Sequence, residues 1–347
     1  MEAERARRSV GAVRASKIAH AVAVAGAELS EGKERQEIWN RHFRDLTHTM
    51  QNYQLQDFEI VDYQIFSLPE IEWVFRGPKP NEAALAAGRY MCLVGAAQFF
   101  GRFQPESLQS HVAARFRMPV LNLALGGRGP QEYLRPAYRL YLERARLVVV
   151  QVLSGRSVGC DEYPGGKFTF RKGSNEPVMR TDLLSEIWRE KPAEYERLVR
   201  KWAGNYCEHY RDLAAVLPGP KLLVWISERK PEDWSIEKGT RTGKIGRFPQ
   251  LVTREMVEAI RPYFDGYVEC AYTKQRVKFT SRVTGEPCPF MTYSGAPKWS
   301  SDYYPPASAH RRCFELLEPL IESALGEQGR APAALGSKAA ANDVSQG

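Results

Sequence analysis

Met91-Cys92-Leu93-Val94 running into Gly95-Ala96-Ala97-Gln98, Pro119-Val120-Leu121-Asn122-Leu123-Ala124-Leu125 running into Gly126-Gly127-Arg128-Gly129, and Leu147-Val148-Val149-Val150-Gln151-Val152-Leu153 running into Ser154-Gly155-Arg156-Ser157 decide the fold. Each is a short, continuous apolar run that ends in a glycine-bearing polar loop, and helix-length segments separate them. Runs of this kind are the sequence form of parallel strands covered on both faces.

Working outward, helices are expected at 105 to 116, opening on Pro105, and at 130 to 144. Beyond the third strand an irregular excursion, 163 to 181, precedes helices at 182 to 190 and 193 to 216. Lys221-Leu222-Leu223-Val224-Trp225-Ile226-Ser227 is a fourth strand, a polar loop spans 228 to 250, and a helix lies near 253 to 262. Gly266 to Ala271 is a fifth strand, 272 to 306 a second long insertion, and 307 to 325 the last helix. Upstream, 57 to 66 alternates with period two and reads as an edge strand or ribbon with which 71 to 75 can pair. The expected fold class is α/β, a three-layer α/β/α doubly wound, mainly parallel five-stranded sheet in the order 2-1-3-4-5. Such an order reverses beside its first strand, and ligands sit beyond the carboxyl ends of the strands at that reversal. The three glycine-bearing loops are therefore expected to meet in one cleft.

Residues 1 to 52 read as a charged helical extension, 53 to 325 as the main domain, and 326 to 347 as a disordered tail. Arg5, Arg7, Arg8, Arg14 and Lys17 ahead of the apolar run 18 to 27 weakly imitate a secretory leader, but Glu2, Glu4 and His20 interrupt the pattern, and the cytoplasm is the expected compartment. The net charge of +8 favours anionic partners and is equally a solvated basic surface. Six cysteines lie scattered without C-x-x-C spacing, which argues against zinc or a disulfide framework. No apolar run reaches the roughly 20 residues of a membrane span, no nucleic-acid-binding pattern is present, and no dinucleotide or P-loop fingerprint calls for a cofactor. Nothing in the pattern fixes an oligomeric state.

The expected cleft gathers Arg102, Arg128 and Arg156 with Gln98, Asn122, Gly127, Ser154 and Ser157. Guanidinium forks match carboxylate, sulfate or phosphate, so the ligand is expected to be a small anionic or carbohydrate molecule. The competing reading pairs those arginines with Glu106, Glu132 and Asp161 nearby in sequence. Ser300-Ser301-Asp302-Tyr303-Tyr304-Pro305-Pro306 leads into the final helix and puts His310 in its first turn, where a neutral imidazole is favoured. His310 there is either an acid or base facing the cleft or an anchor for the helix start.

A first strand with a short Gly-x-x-x loop, a second ending Asn122-x-x-x-Gly126, a third with a polar turn, and the segment 300 to 310 before the last helix together resemble the SGNH hydrolase-like fold of esterases, lipases and carbohydrate O-acetyl modifying enzymes. More narrowly, Gly95 to Phe103 with Ser154-Gly155-Arg156-Ser157 is similar to an uncharacterised bacterial domain family, best represented in alphaproteobacteria, over roughly residues 53 to 325. The resemblance implies a flavodoxin/SGNH-like sheet and a Ser-His hydrolase site, yet the catalytic positions differ. The serine of Gly-Asp-Ser falls on Ala97, the second-block glycine on Gly126 or Gly127, Gly-x-Asn-Asp finds only Gly155-Arg156-Ser157, and the Asp-x-x-His pair falls on Ser301 and Tyr304.

Two functions are consistent with these residues. One is a transferase or hydrolase with a rebuilt site acting on an anionic or carbohydrate substrate, as in surface-polysaccharide modification. Ser154 or Ser157 is then the nucleophile or positioning hydroxyl, the three arginines the clamp, and Tyr304 or His310 the acid or base. The other is a catalytically silent glycan- or anion-binding or docking module, for which Trp234, Tyr293, Trp299 and Tyr303 offer rings that serve equally well as core.

Overall fold

The computed structural model describes residues 57–163, 165–166, 168–171, 177–291 and 297–328. The expected extension over 1 to 52 lies outside them, as does all but the first three residues of the expected tail. In chain order the elements are β1 (Phe66–Leu68), β2 (Ile71–Phe75), α1 (Glu82–Ala86), β3 (Met91–Val94), α2 (Ala97–Phe100), α3 (Leu108–Phe116), β4 (Val120–Asn122), α4 (Pro136–Leu142), β5 (Leu147–Gln151), β6 (Phe168–Phe170) and β7 (Pro177–Met179). They continue with α5 (Arg180–Glu190), α6 (Pro192–Ala215), β8 (Lys221–Ser227), α7 (Ile236–Thr242), α8 (Arg254–Ile260), β9 (Gly266–Ala271), β10 (Val277–Lys278), β11 (Phe290–Met291), β12 (Pro297–Lys298), β13 (Ser300–Ser301) and α9 (Ala307–Gln328).

β4-β3-β5-β8-β9 form one five-stranded sheet in which every neighbouring pair is parallel. This is the 2-1-3-4-5 order expected, and its reversal lies beside β3. Period-two alternation sorts the strand residues between two cores. Cys92, Val94, Val148, Val150, Leu223 and Trp225 pack with Tyr206 and Tyr210 of α6 on one face. Met91, Leu93, Leu147, Val149, Leu222 and Val224 pack with Leu108 of α3 and Leu317 of α9 on the other. Burial on both faces explains why these runs read as unbroken apolar stretches.

Several boundaries differ from the sequence reading, each for a local reason. Segment 57 to 65 is irregular rather than a strand, because the Asp57 side chain is drawn into the core and Gln64 takes φ 49°. Only Phe66–Leu68 pairs with Ile71–Phe75. α3 starts after Ser107, whose backbone N–H donates to Ser110 Oγ at 2.8 Å, so Pro105 precedes the helix. Pro136 divides the expected helix over 130 to 144 into a 3-10 turn, Pro130–Leu134, and α4. The excursion after β5 contains the β6–β7 hairpin, the polar loop after β8 contains α7, and α9 extends to Gln328, past the expected boundary at 325. No helix among the described residues is long and apolar enough to cross a membrane.

Gly95 is where the first strand turns into its loop. A Cβ there would lie 2.5 Å from Phe99 Cβ and 2.7 Å from Gln151 Oε1. Gly95→Ala is expected to cost about 1–3 kcal/mol of stability through overpacking. Gly204→Ala, inside α6 where a Cβ meets nothing within 4 Å, is expected to be stabilising by roughly 0.5–1 kcal/mol. Urea denaturation of the two variants beside the parent checks both signs.

Candidate functional site

The carboxyl ends of β3 and β5 meet at Gln151. Its Oε1 accepts from Ala96 N–H at 2.8 Å, which identifies the other amide atom as Nε2, buried and without a hydrogen-bond partner among the described residues. Two tyrosines of α6 fix the strand end beyond it. Tyr210 donates to the Gln151 carbonyl at 2.6 Å and accepts from Leu153 N–H at 2.7 Å, and Tyr206 donates to the Leu153 carbonyl at 2.8 Å. Tyr133 donates to the carbonyls of Gly95 and Leu123 at 2.7 and 3.1 Å, tying the first loop to the second. Ala97 occupies the first position of α2, and Gln98 beside it is buried with Oε1 unpartnered. No hydroxyl stands at the point where the first loop turns into its helix.

The third loop holds its serines in structural bonds. Ser154 Oγ donates to Gln250 Oε1 at 2.8 Å and accepts from Arg156 N–H at 3.3 Å, capping the 3-10 turn Gly155–Ser157. Gln250 also accepts Gly155 N–H on its backbone carbonyl at 2.8 Å. Ser157 is buried, and its carbonyl accepts from Gln131 Nε2 at 2.7 Å, a bond that joins the second loop to the third. A serine becomes a nucleophile when a neighbouring base accepts its proton. An amide oxygen such as that of Gln250 is not such a base.

Arg128 and Arg156 flank this joint. The Arg128 guanidinium lies 4.2 Å from the Trp73 ring centroid and 3.8 Å from Glu132, and its Nε is buried without a partner. Gly127, just before it, takes φ 80°. The Arg156 side chain is half-buried and meets no carboxylate within 4.0 Å among the described residues; the expected partner Asp161 is held instead by Lys201 at 3.1 Å.

Arg102 lies on the opposite flank, in the core shared by α3 and α9. Its Nε and Nη2 donate to the two Asp57 oxygens at 2.8 and 3.0 Å, and Nη1 donates to the Tyr304 hydroxyl at 3.1 Å. Tyr63 adds a third donor to Asp57 at 2.9 Å. Burial pushes the Asp57 carboxyl above its ordinary value, while the Arg102 charge and the donors from Arg102 and Tyr63 pull the other way and favour the ionised form. Arg102 is thus paired with Asp57 rather than with ligand or with Glu106. Tyr304 keeps its proton because burial pushes its hydroxyl above the ordinary phenol range, so it does not serve as a base.

His310 takes the second of its two expected roles, the anchor, and Asn122 is held in the core rather than at a ligand. His310 is fully buried, its Nδ1 accepts from Leu108 N–H at 3.3 Å, and burial lowers its pKa to about 3. The imidazole is neutral, as expected, but it anchors α9 against α3 and does not face the cleft. Asn122 is fully buried, donating to the Phe99 carbonyl and Gln109 Oε1 at 3.1 and 3.2 Å while accepting from Ala124 N–H at 3.0 Å. With all of those positions used, no ligand contact remains for it.

The expected set therefore divides. Arg128, Ser154, Arg156 and Ser157 are brought to one flank, and Arg102, Tyr304 and His310 to the other. Of the four rings, Trp234 is core at 3 % exposure, Tyr293 lies outside the described residues, and Trp299 and Tyr303 are 54 % and 46 % exposed. Gln131, Gln151, Gln250 and Tyr133 were not singled out from the sequence, since isolated glutamines and tyrosines carry no spacing signal. The polar Gln151 inside the run 147 to 153 was the one available hint.

A parallel five-stranded α/β sheet whose carboxyl-end loops bring no Ser-His pair together among the described residues is the class that the geometry defines. The chain belongs to the family described as Domain of unknown function (DUF6473), whose model matches residues 50–162 and 178–325. No curated protein matches it. Among solved structures it is similar to a carbohydrate esterase family 2 enzyme with a carbohydrate binding domain from Corynascus thermopiles (Myceliophthora fergusii), at 15% identity and TM-score 0.31, over 73% of this chain and 70% of that one. It is also similar to a phospholipase A1 from Streptomyces albidoflavus NA297, at 14% identity and TM-score 0.36, over 69% and 99%. An extracellular lipase from Streptomyces rimosus follows at 8% identity and TM-score 0.33, over 68% and 99%. Overlaps this loose do not carry a catalytic constellation from one chain to another.

Two outcomes follow from the second flank. Arg102→Met leaves Asp57 buried without its counter-charge and is expected to cost about 3–5 kcal/mol, whereas Asp57→Leu/Arg102→Met together cost less than the single change; urea midpoints of the set check this. For His310, the unfolded imidazole takes a proton below its ordinary value of 6.5 while the folded one resists to about 3. The native state accordingly loses stability as pH falls through that window, by up to roughly 1.4 kcal/mol per pH unit. His310→Gln should lose less between pH 7 and pH 5, read from denaturation midpoints at the two values.

Proposed function

We propose that the protein is a non-hydrolytic binding module built on an SGNH-like scaffold, taking a small anionic or carbohydrate ligand at the carboxyl ends of β3 and β5. The observation that carries this reading is the state of the hydroxyls there. Alanine stands at residue 97, and the Ser154 hydroxyl is bonded to the Gln250 amide. Neither candidate acid or base supports the rebuilt-enzyme alternative: Tyr304 is bonded to Arg102, and His310 to Leu108. An acyl-transfer mechanism needs a nucleophile and an adjacent base in one place.

Binding groups are nevertheless present. Arg156 projects from a turn whose backbone is capped by Ser154, so the point from which its side chain reaches out is set before any ligand arrives. Arg128 is stacked on Trp73 and lies 3.8 Å from Glu132, which restricts a guanidinium whose side chain stays partly exposed. Pre-positioned guanidinium groups reduce the ordering cost of binding and favour ligands bearing carboxylate, sulfate or phosphate.

The test uses the full chain. Turnover of p-nitrophenyl acetate and acetylated xylan is expected to stay at the buffer rate, and a fluorophosphonate probe to leave Ser154 and Ser157 unlabelled. Calorimetric titration with glucose 1-phosphate or glucuronate is expected to show binding that weakens by about tenfold in Arg156→Ala and in Arg128→Ala. Labelling of either serine, or ester turnover lost in Ser154→Ala, would establish the enzyme instead.

A further inference from the structure

The insertion between β9 and α9 presents a second surface, separate from Arg128 and Arg156. β10 and β13 pair antiparallel, with Val277 opposite Ser301 and Lys278 opposite Ser300. The ribbon is pinned to the domain by Phe279, whose ring packs 4.4 Å from that of Phe103 and whose N–H donates to the Trp299 carbonyl at 2.9 Å. Tyr304, beside it, is held by Arg102. The backbone around the ribbon's aromatic residues is therefore fixed by the core, while Trp299 remains 54 % exposed and Tyr303 46 % exposed. Exposed Trp and Tyr rings on an anchored backbone are groups of the kind that recognition surfaces use.

The surrounding charge selects the partner. Lys278 and Lys298 are exposed and form no ion pair among the described residues, and Asp302 is already met by Lys274 at 3.2 Å and Arg276 at 4.0 Å. Arg282 adds further exposed positive charge, stacking 4.0 Å from the ring of Phe58. Trp299 stands at the bend between β12 and β13, with Lys298 before it and Ser300-Ser301 after it, so the ring is flanked by a cation and two hydroxyls. A bilayer surface would call for a contiguous apolar face, which these polar neighbours interrupt. A nucleic acid would call for a longer basic track than one in which Asp302 takes up two of the cations.

We propose that the ribbon binds an acidic polysaccharide, with Trp299 and Tyr303 stacking on sugar faces while Lys278 and Lys298 meet the carboxylates. The proposal does not rest on the reading of the cleft, since it uses none of the same side chains. The probe is hexagalacturonate, titrated into the full chain while tryptophan fluorescence is followed. Binding is expected, weaker by about tenfold in Trp299→Ala and again in Lys278→Glu/Lys298→Glu, and the tenfold effect of Trp299→Ala is expected to persist in an Arg156→Ala background that removes the cleft guanidinium. Added salt should weaken it, and neutral maltohexaose should bind about tenfold less tightly. All four side chains are exposed, so the variants should keep the parental melting temperature. The proposal is overturned by absence of hexagalacturonate binding, by equal affinity for maltohexaose, by an unaffected Trp299→Ala, or by binding confined to phosphatidylglycerol vesicles or to single-stranded DNA. Loss in Arg156→Ala alone would assign the acidic sugar to the cleft and likewise overturn it.

Discussion

The buried pair between Asp57 and Arg102 is the interaction on which the rest of this architecture depends. Taking both charges out of water costs several kcal/mol per ion, and such a pair persists only when its geometry returns most of that. Here the fork is met oxygen by oxygen, Tyr63 supplies a further donor, and Tyr304 accepts the remaining guanidinium edge. The rings of Phe103 and Phe290 lie 4.7 and 4.5 Å from the guanidinium carbon. One residue pair therefore joins the segment ahead of β1, the loop after α2 and the approach to α9.

Other arginines solve a related problem for loops. Arg76 is buried and donates to the carbonyls of Phe100, Gly101, Gln104 and Pro105 at 2.7 to 3.1 Å. Arg229 does the same for the loops around 230 and 250, reaching the carbonyls of Lys230, Arg247 and Val252 at 3.0, 3.1 and 2.7 Å. Irregular backbone beside the sheet leaves carbonyls that no ladder satisfies, and a planar group with five N–H donors collects several at once. Burial lowers both pKa values to about 10, still far above neutrality, so both remain charged. Arg102, read at first as a ligand contact, is internal scaffolding like these two, and Arg128 and Arg156 stand apart because they do not play this part.

The sheet was legible because its signal is redundant. Val148 and Val150 face one core while Leu147 and Val149 face the other, so every position of the run had to be apolar. Strand order followed from chirality and crossover length. The site was less legible because proximity across the fold leaves no mark on local sequence. Arg102 stands beside Glu106 in the chain yet meets Asp57, and Ser154 meets Gln250, a residue in a loop with no motif. His310 shows both sides: its helix position indicated a neutral ring, while its burial against Leu108 depended on α3, a distant element. The segment from Asp57 alternated like a strand, but a buried side chain at its first residue outweighed that weak preference.

The Arg102 hub also orders events in time. Asp57 and Arg102 are 45 residues apart, whereas Arg102 and Tyr304 are separated by 202. During synthesis the acid leaves the ribosome first, its counter-ion soon after, and the phenol only when nearly the whole domain has emerged. Contacts of such wide separation carry a high closure entropy and form late. A nascent chain halted before Tyr304 would thus hold the acid and its counter-ion without the phenol that completes their cluster.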